Sequence, residues 1–170
     1  MSHPHPLVEQ LRYARSEFQR SLAGMTGEDA RQRFAPMNSI SWMIGHMAWQ
    51  EQRYWLTFGQ GQVIAPRVNE LTANGGPATT PPLAEMWSDW EAVTQASDGF
   101  LDGLTAERLN EHFEVNGRQV PETIGTRLLR TTYHYWYHNG EAQAVRQLLG
   151  HTDLPEFVGD IGDEAPYRAG

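Results

Sequence analysis

Two histidines, His134 and His138, stand four residues apart in the run TTYHYWYHNGEAQAVRQLLG, from Thr131 to Gly150. On a helix this spacing sets the imidazoles about 40° apart around the axis and about 6 Å along it, close enough to share one metal ion. Leu128, Thr131, Tyr135, His138, Ala142, Val145 and Leu149 recur at intervals of three and four. That is the period of a core-facing stripe, and His134 and Glu141 flank the same side. A buried ring nitrogen left unpaired costs about 1–3 kcal/mol, and a stripe of Leu, Val and Ala offers few partners. A shared cation would satisfy both rings, but two ligands do not hold a metal firmly.

A third ligand is at hand in ISWMIGHMAWQEQRYWLTF, where His46 sits in the middle of an apolar helical run. Three imidazoles plus an open position form a catalytic type of zinc arrangement, and nickel or iron accepts the same ligands. Imidazole coordinates only when neutral, so with ordinary pKa values of about 6.5 metal affinity is predicted to fall steeply below that pH. Glu141, three residues after His138, is placed to orient a ligand imidazole, act as a general base or supply a fourth ligand; it could equally be a surface carboxylate paired with Arg146. Gln50, one turn after His46, is a candidate for contacting substrate, and Arg53, Tyr133 and Tyr137 are candidates for the rim. The remaining histidines, His3, His5, His112 and His151, fall outside the periodic stripes. They are predicted to take no part, with His3 and His5 in a loose tail and His112 exposed.

Four long helices must position these residues. Pro6 and the stripe Leu7, Leu11, Ala14, Phe18 and Leu22 predict a first helix over about 6–23. Glycines and Pro36 interrupt it, leaving room for a helical turn at Glu28 to Arg33. Asn38 and Ser39 can cap a second helix, about 39–58, which is apolar nearly all round and so belongs deep in a bundle or at a subunit interface. Residues 59–82 are rich in Gly, Pro, Asn and Thr and read as a long crossover or binding loop. Leu83, Met86, Trp87, Trp90, Val93, Ser97, Phe100 and Leu104 mark a third helix, about 82–103. Asn116-Gly117 signals a hairpin or turn, and the fourth helix spans about 122–149, closed by Gly150. The last twenty residues form a polar tail that could lie across the bundle through Leu154, Phe157, Val158 and Ile161. The expectation is one all-α domain over residues 1–170, a four-helix bundle with a site in its core.

Composition removes several classes of function. The chain of 170 residues has no cysteine, which excludes disulfides, a thiolate nucleophile and any thiolate metal ligand. A net charge of −8 without a basic cluster argues against nucleic acid as partner. The apolar run 40–49 is too short to span a bilayer, and the first residues lack a signal-peptide pattern, so a cytoplasmic protein is expected. No His follows a Glu by three residues and no HExxH occurs, which excludes the two-metal carboxylate bundle and the zincin peptidases as templates.

The run NSISWMIGHMAWQEQRYW, followed about ninety residues later by HYWYHNGEAQAVRQLLGH, resembles the DinB-like superfamily, which includes the YfiT-type metal-dependent hydrolases. The resemblance covers nearly the whole chain. It implies an up-down-down-up bundle with a long crossover between helices two and three, a homodimer in many members, and a divalent metal, zinc or nickel, on a triad that falls here on His46, His134 and His138. It also implies a small-molecule substrate, since the superfamily contains mycothiol- and bacillithiol-dependent transferases and isomerases and a related domain of ergothioneine-pathway sulfoxide synthases. With no cysteine in the chain, a low-molecular-weight thiol would be the sulfur source. The alternatives are a metal-dependent hydrolase and a non-catalytic metal-binding dimer connected with stress.

Overall fold

Four long helices carry the architecture, and the ends of each follow from local chemistry. The computed structural model describes residues 4–156 and 158–168. Helix α1, Pro6–Ser21, starts with proline in its first turn, and its N-cap is His5, whose ring Nδ1 accepts from the Leu7 amide at 3.2 Å. His5 is therefore a capping residue and not loose tail; His3 lies outside the described residues. A short α2, Gly27–Arg31, is capped by Thr26 and ends before the predicted Arg33.

Helix α3, Ile40–Glu51, is capped by the Ser39 hydroxyl, which accepts from the Trp42 amide at 3.2 Å. It continues without a break into a π-helical segment, Gln52–Phe58, a wider winding that has no sequence signal. Here Gln52 accepts from the amides of Ile64 and Ala65 at 2.9 and 2.7 Å and donates to the Ala65 carbonyl at 3.0 Å. That clamp folds the following chain back along the helix.

The expected long loop is interrupted by helix α4, Pro66–Leu71, again with proline in the first turn. Arg67 pairs with Asp89 and Glu85 on helix α5, Leu83–Asp102, and so fixes the crossover to its neighbour. Thr72, just after α4, is fully buried. Helices α2, α4 and α5 and the last long helix together cover α3 so completely that only Trp49 among residues 40–51 is not buried. The surplus apolar surface of the second helix is thus met within one chain and gives no argument for a subunit interface.

This close approach depends on Gly45, where an added Cβ would meet Met86 Sδ at 2.5 Å and Thr72 Cγ2 at 2.8 Å. Gly45→Ala is expected to destabilise the fold by about 1–3 kcal/mol through overpacking, read as a lowered melting temperature.

Within α5 the inward stripe runs Met86, Trp90, Val93, Ser97 and Leu101, while Phe100 is only partly buried. A short α6, Ala106–Leu109, was not signalled by periodicity. The Asn116-Gly117 turn joins two antiparallel strands, β1 His112–Val115 and β2 Arg118–Thr123. Both turn residues have positive φ, 52° and 71°, as the tight two-residue hairpin turn requires. His112 is half-buried, not exposed, with Nδ1 2.8 Å from the Val120 carbonyl oxygen. Helix α7, Ile124–Leu148, starts two residues later than predicted because Glu122 and Thr123 belong to β2, and Thr123 caps it.

Packing of α3 on α5, α1 on α7 and α3 on α7 encloses one apolar core. The tail crosses α1 by polar contacts more than by its apolar residues. The Gly159 amide donates to Glu17, Arg20 donates to the Glu156 carbonyl, and Gln10 donates to the Ala165 carbonyl. Ile161, in the short helix α8 (Ile161–Glu164), is exposed, and Phe157 lies outside the described residues. The fold is all-helical apart from the hairpin, and no helix among the described residues is long and apolar enough to cross a membrane.

One feature of the core has no counterpart in the apolar pattern. Arg15 of α1 forms a bidentate ion pair with Glu51 of α3, both buried, and Glu51 also accepts from the Tyr135 hydroxyl of α7 at 2.5 Å. Tyr135 in turn accepts from Trp90 Nε1 of α5 at 2.7 Å. A single charged network therefore ties all four long helices. Burial, and then the neighbouring Glu51 carboxylate, push the Tyr135 phenol well above its ordinary pKa.

Candidate metal centre

His46, His134 and His138 converge where α3 meets α7. Ring centroids lie 5.0 Å apart for His46 and His134, 5.4 Å for His46 and His138, and 4.5 Å for His134 and His138. One ligand atom of each lies within 4.8 Å of the others, and this is the group among the described residues that could hold an ion. His46 and His138 are buried and His134 is half-buried.

The second nitrogen of each ring is already engaged. His46 Nδ1 is 2.8 Å from the Thr72 carbonyl oxygen, His134 Nδ1 is 2.8 Å from Gln50 Oε1, and His138 Nδ1 is 2.8 Å from Glu141 Oε2. Each of these oxygens accepts, so each Nδ1 carries a proton, and in the neutral ring that leaves Nε2 as the atom with the free lone pair. His138 Nε2 is buried and has no hydrogen-bond partner. The His46 ring is further held between two indoles, stacked on Trp42 at 4.4 Å and 14° and on Trp49 at 5.2 Å and 21°.

Gln50 and Glu141 thus hydrogen-bond to two of the candidate ligands. Glu141 orients His138, the first of the three roles open to it, and it does not pair with Arg146. Gln50 is buried and orients His134, although it also borders the neighbouring cavity. The Thr72 carbonyl is the residue that sequence reasoning missed, since a main-chain acceptor has no side-chain signature; Pro66 opening a helix was the available hint. Replacing Gln50 or Glu141 by alanine is expected to weaken zinc binding by about 10–100-fold, measured by competition with a chelator.

A cavity of about 780 Å³ opens beside the triad and is bordered by His46 and His134. Arg53, Tyr133 and Tyr137, the candidates for the rim, all line it, with Trp49, Tyr54, Asn74, Thr126, Leu129 and Arg130. The π-helical winding begins one residue before Arg53 and carries Arg53 and Tyr54 to the same wall. His5, His112 and His151 lie outside this group. His151 instead contacts Arg146 and Asp29.

Burial, together with repulsion from the neighbouring imidazoles, pushes the His46 pKa down to about 4 and the His134 pKa down to about 3, with Arg130 adding to the latter. Both lie below the unfolded value of about 6.5, so the folded state prefers the neutral rings. Their contribution to stability is complete above about pH 6.5 and is lost as pH falls through that value toward about 4 and about 3. The same shifts correct the expectation of steep proton competition below pH 6.5. Between pH 5 and 7 His46 and His134, held near about 4 and about 3, are expected to add little to the slope of log zinc affinity against pH; a slope near three would contradict this neutral pair.

Comparison with curated proteins gives no match. A structural neighbour, the conserved protein of locus from Enterococcus faecalis, superposes with a TM-score of 0.65 at 18% identity, over 85% of this chain and 96% of that one, a likeness of fold. The sequence model of the DinB superfamily matches residues 10–142, from the first helix through the full triad and past Glu141. With four long helices, a crossover between the second and third, and a histidine group that could hold a divalent metal where α3 meets α7, the chain belongs to the DinB superfamily.

Proposed function

We propose that His46, His134 and His138 bind one divalent ion, zinc or nickel, through Nε2, and that the fourth position faces the cavity as the reaction site of a thiol-dependent transferase or isomerase. The observation that carries the metal is the orphaned, buried His138 Nε2 beside two further rings whose Nδ1 atoms are already paired. A donor set of three neutral imidazoles fits either ion. When bound, the cation supplies Lewis acidity and lowers the pKa of a coordinated water or thiol. The chain's own residues do the rest. Thr72, Gln50 and Glu141 hold the rings in one tautomer, Trp42 and Trp49 fix the plane of His46, and Tyr133 and Tyr137 wall the opening. Among the described residues no carboxylate borders the cavity, so the open position is left to water or substrate. That favours an enzyme over a closed structural site, and an up-down-down-up order of the four long helices is part of the same proposal.

The test is zinc and nickel analysis of the purified protein, followed by incubation of the loaded protein with small thiols and 1-chloro-2,4-dinitrobenzene, in which a sulfur–carbon bond forms as chloride leaves. Metal-dependent acceleration with a particular thiol supports the reading. Firm retention of metal with hydrolysis of esters or amides but no thiol transfer would replace it with the hydrolase reading.

A further inference from the structure

The wall of the cavity is electrically unlike the rest of the protein. The chain has 21 acidic residues against 13 Lys and Arg, yet among the described residues the wall contains Arg53 and Arg130 and no Asp or Glu. Arg130 is bonded to Glu122, and the same carboxylate lies 3.7 Å from Arg127, whose guanidinium sits over the Tyr54 ring at 4.5 Å. One carboxylate thus serves two guanidinium groups. Arg53 makes no ion pair among the described residues; it lies 5.5 Å from the Trp49 ring and 5.4 Å from the Phe58 ring. An arginine held flat by aromatic rings keeps its planar fork of donors free for an anion.

We propose that the cavity takes a substrate with an anionic oxygen end group, a carboxylate or a phosphate, bound by Arg53, and an apolar or aromatic body lying between that end and the histidine triad. Arg53 follows His46 by seven residues, about 10 Å along the helix, so the end group is remote from the reacting position. Trp49, Leu129 and Tyr133 line the same cavity and supply apolar surface for that body. The inference rests on the proposed function for the role of the triad, but the arginine subsite itself uses no metal.

The test is calorimetric binding of three probes, 3-phenylpropionate, phenethyl phosphate and the neutral 3-phenylpropanol, to wild type and Arg53→Gln, each metal-free and zinc-loaded. Wild type is expected to bind at least one anionic probe about 10-fold or more tightly than the alcohol, with the preference weakened by salt and shared by the metal-free protein. Arg53→Gln is expected to lose that preference while binding the alcohol and zinc as wild type does. The better of the two anions identifies the end group. Equal binding of acid and alcohol by wild type, or a preference that survives in Arg53→Gln, overturns the inference even if zinc is retained. Loss of the preference in Arg53→Gln, in a protein that retains no zinc, sustains it and overturns the metal reading instead.

Discussion

His134→Ala is expected to abolish firm zinc binding, with the dissociation constant raised by about 1,000-fold or more, equivalent to about 4 kcal/mol. Only His46 and His138 remain in that variant, and two imidazoles from different helices leave half of a tetrahedral site to solvent. Thermal unfolding gives a second reading of the same effect. Zinc raises the melting temperature of any protein that binds it only when folded, so wild type is expected to shift upward with zinc and the variant to stay in place. The metal-free proteins behave differently. His138 Nε2 is unsatisfied without an ion, so His138→Ala removes a buried polar burden of about 1–3 kcal/mol, offset by the space it vacates. A variant much less stable than metal-free wild type would mean that the histidines are a packing device and not a ligand set.

The second large effect lies outside the site. Glu51→Ala is expected to cost about 3–5 kcal/mol, because Arg15 would keep a buried charge with only Asp98, at its exposed edge, to pair with. For a domain of this size that lowers the melting temperature by about 10 °C. The double variant Arg15→Met, Glu51→Gln is expected to recover a good part of the loss, since neither charge then remains. Additive losses for Arg15→Met and Glu51→Gln, measured singly and together, would show that the two residues act separately, against the bidentate geometry.

These two effects also mark how far the chain could be read without coordinates. The stripe through Tyr135 and His138 and the run around His46 made the helices and the convergence of the triad legible, because burial on a helix has a period. Glu141 was legible as an orienting group for the same reason, being one turn from its histidine. Gln50 was singled out for substrate, yet its oxygen points at a ring eighty-four positions away, a partnership that no local spacing encodes. Arg15 and Glu51 look like ordinary surface charges in sequence, and only tertiary packing turns them inward against each other. Residues 59–82 read as one long crossover or binding loop because of their Gly, Pro, Asn and Thr content, and the short helix that opens at Pro66 is hidden in that composition. The clamp of Gln52 on the amides of Ile64 and Ala65, at the start of the π-helical winding, is again a matter of contact and not of composition.

The clasp of Trp42 and Trp49 around His46 has an optical consequence. Two of the six indoles in the chain stand against a ring whose electronic state changes when its lone pair is taken up, so ultraviolet emission should report directly on occupancy of the centre. Diamagnetic zinc would shift or sharpen that emission, whereas paramagnetic nickel or copper would extinguish part of it. A diamagnetic ion could thus be told from a paramagnetic one by the protein's own light, without a dye or a substrate.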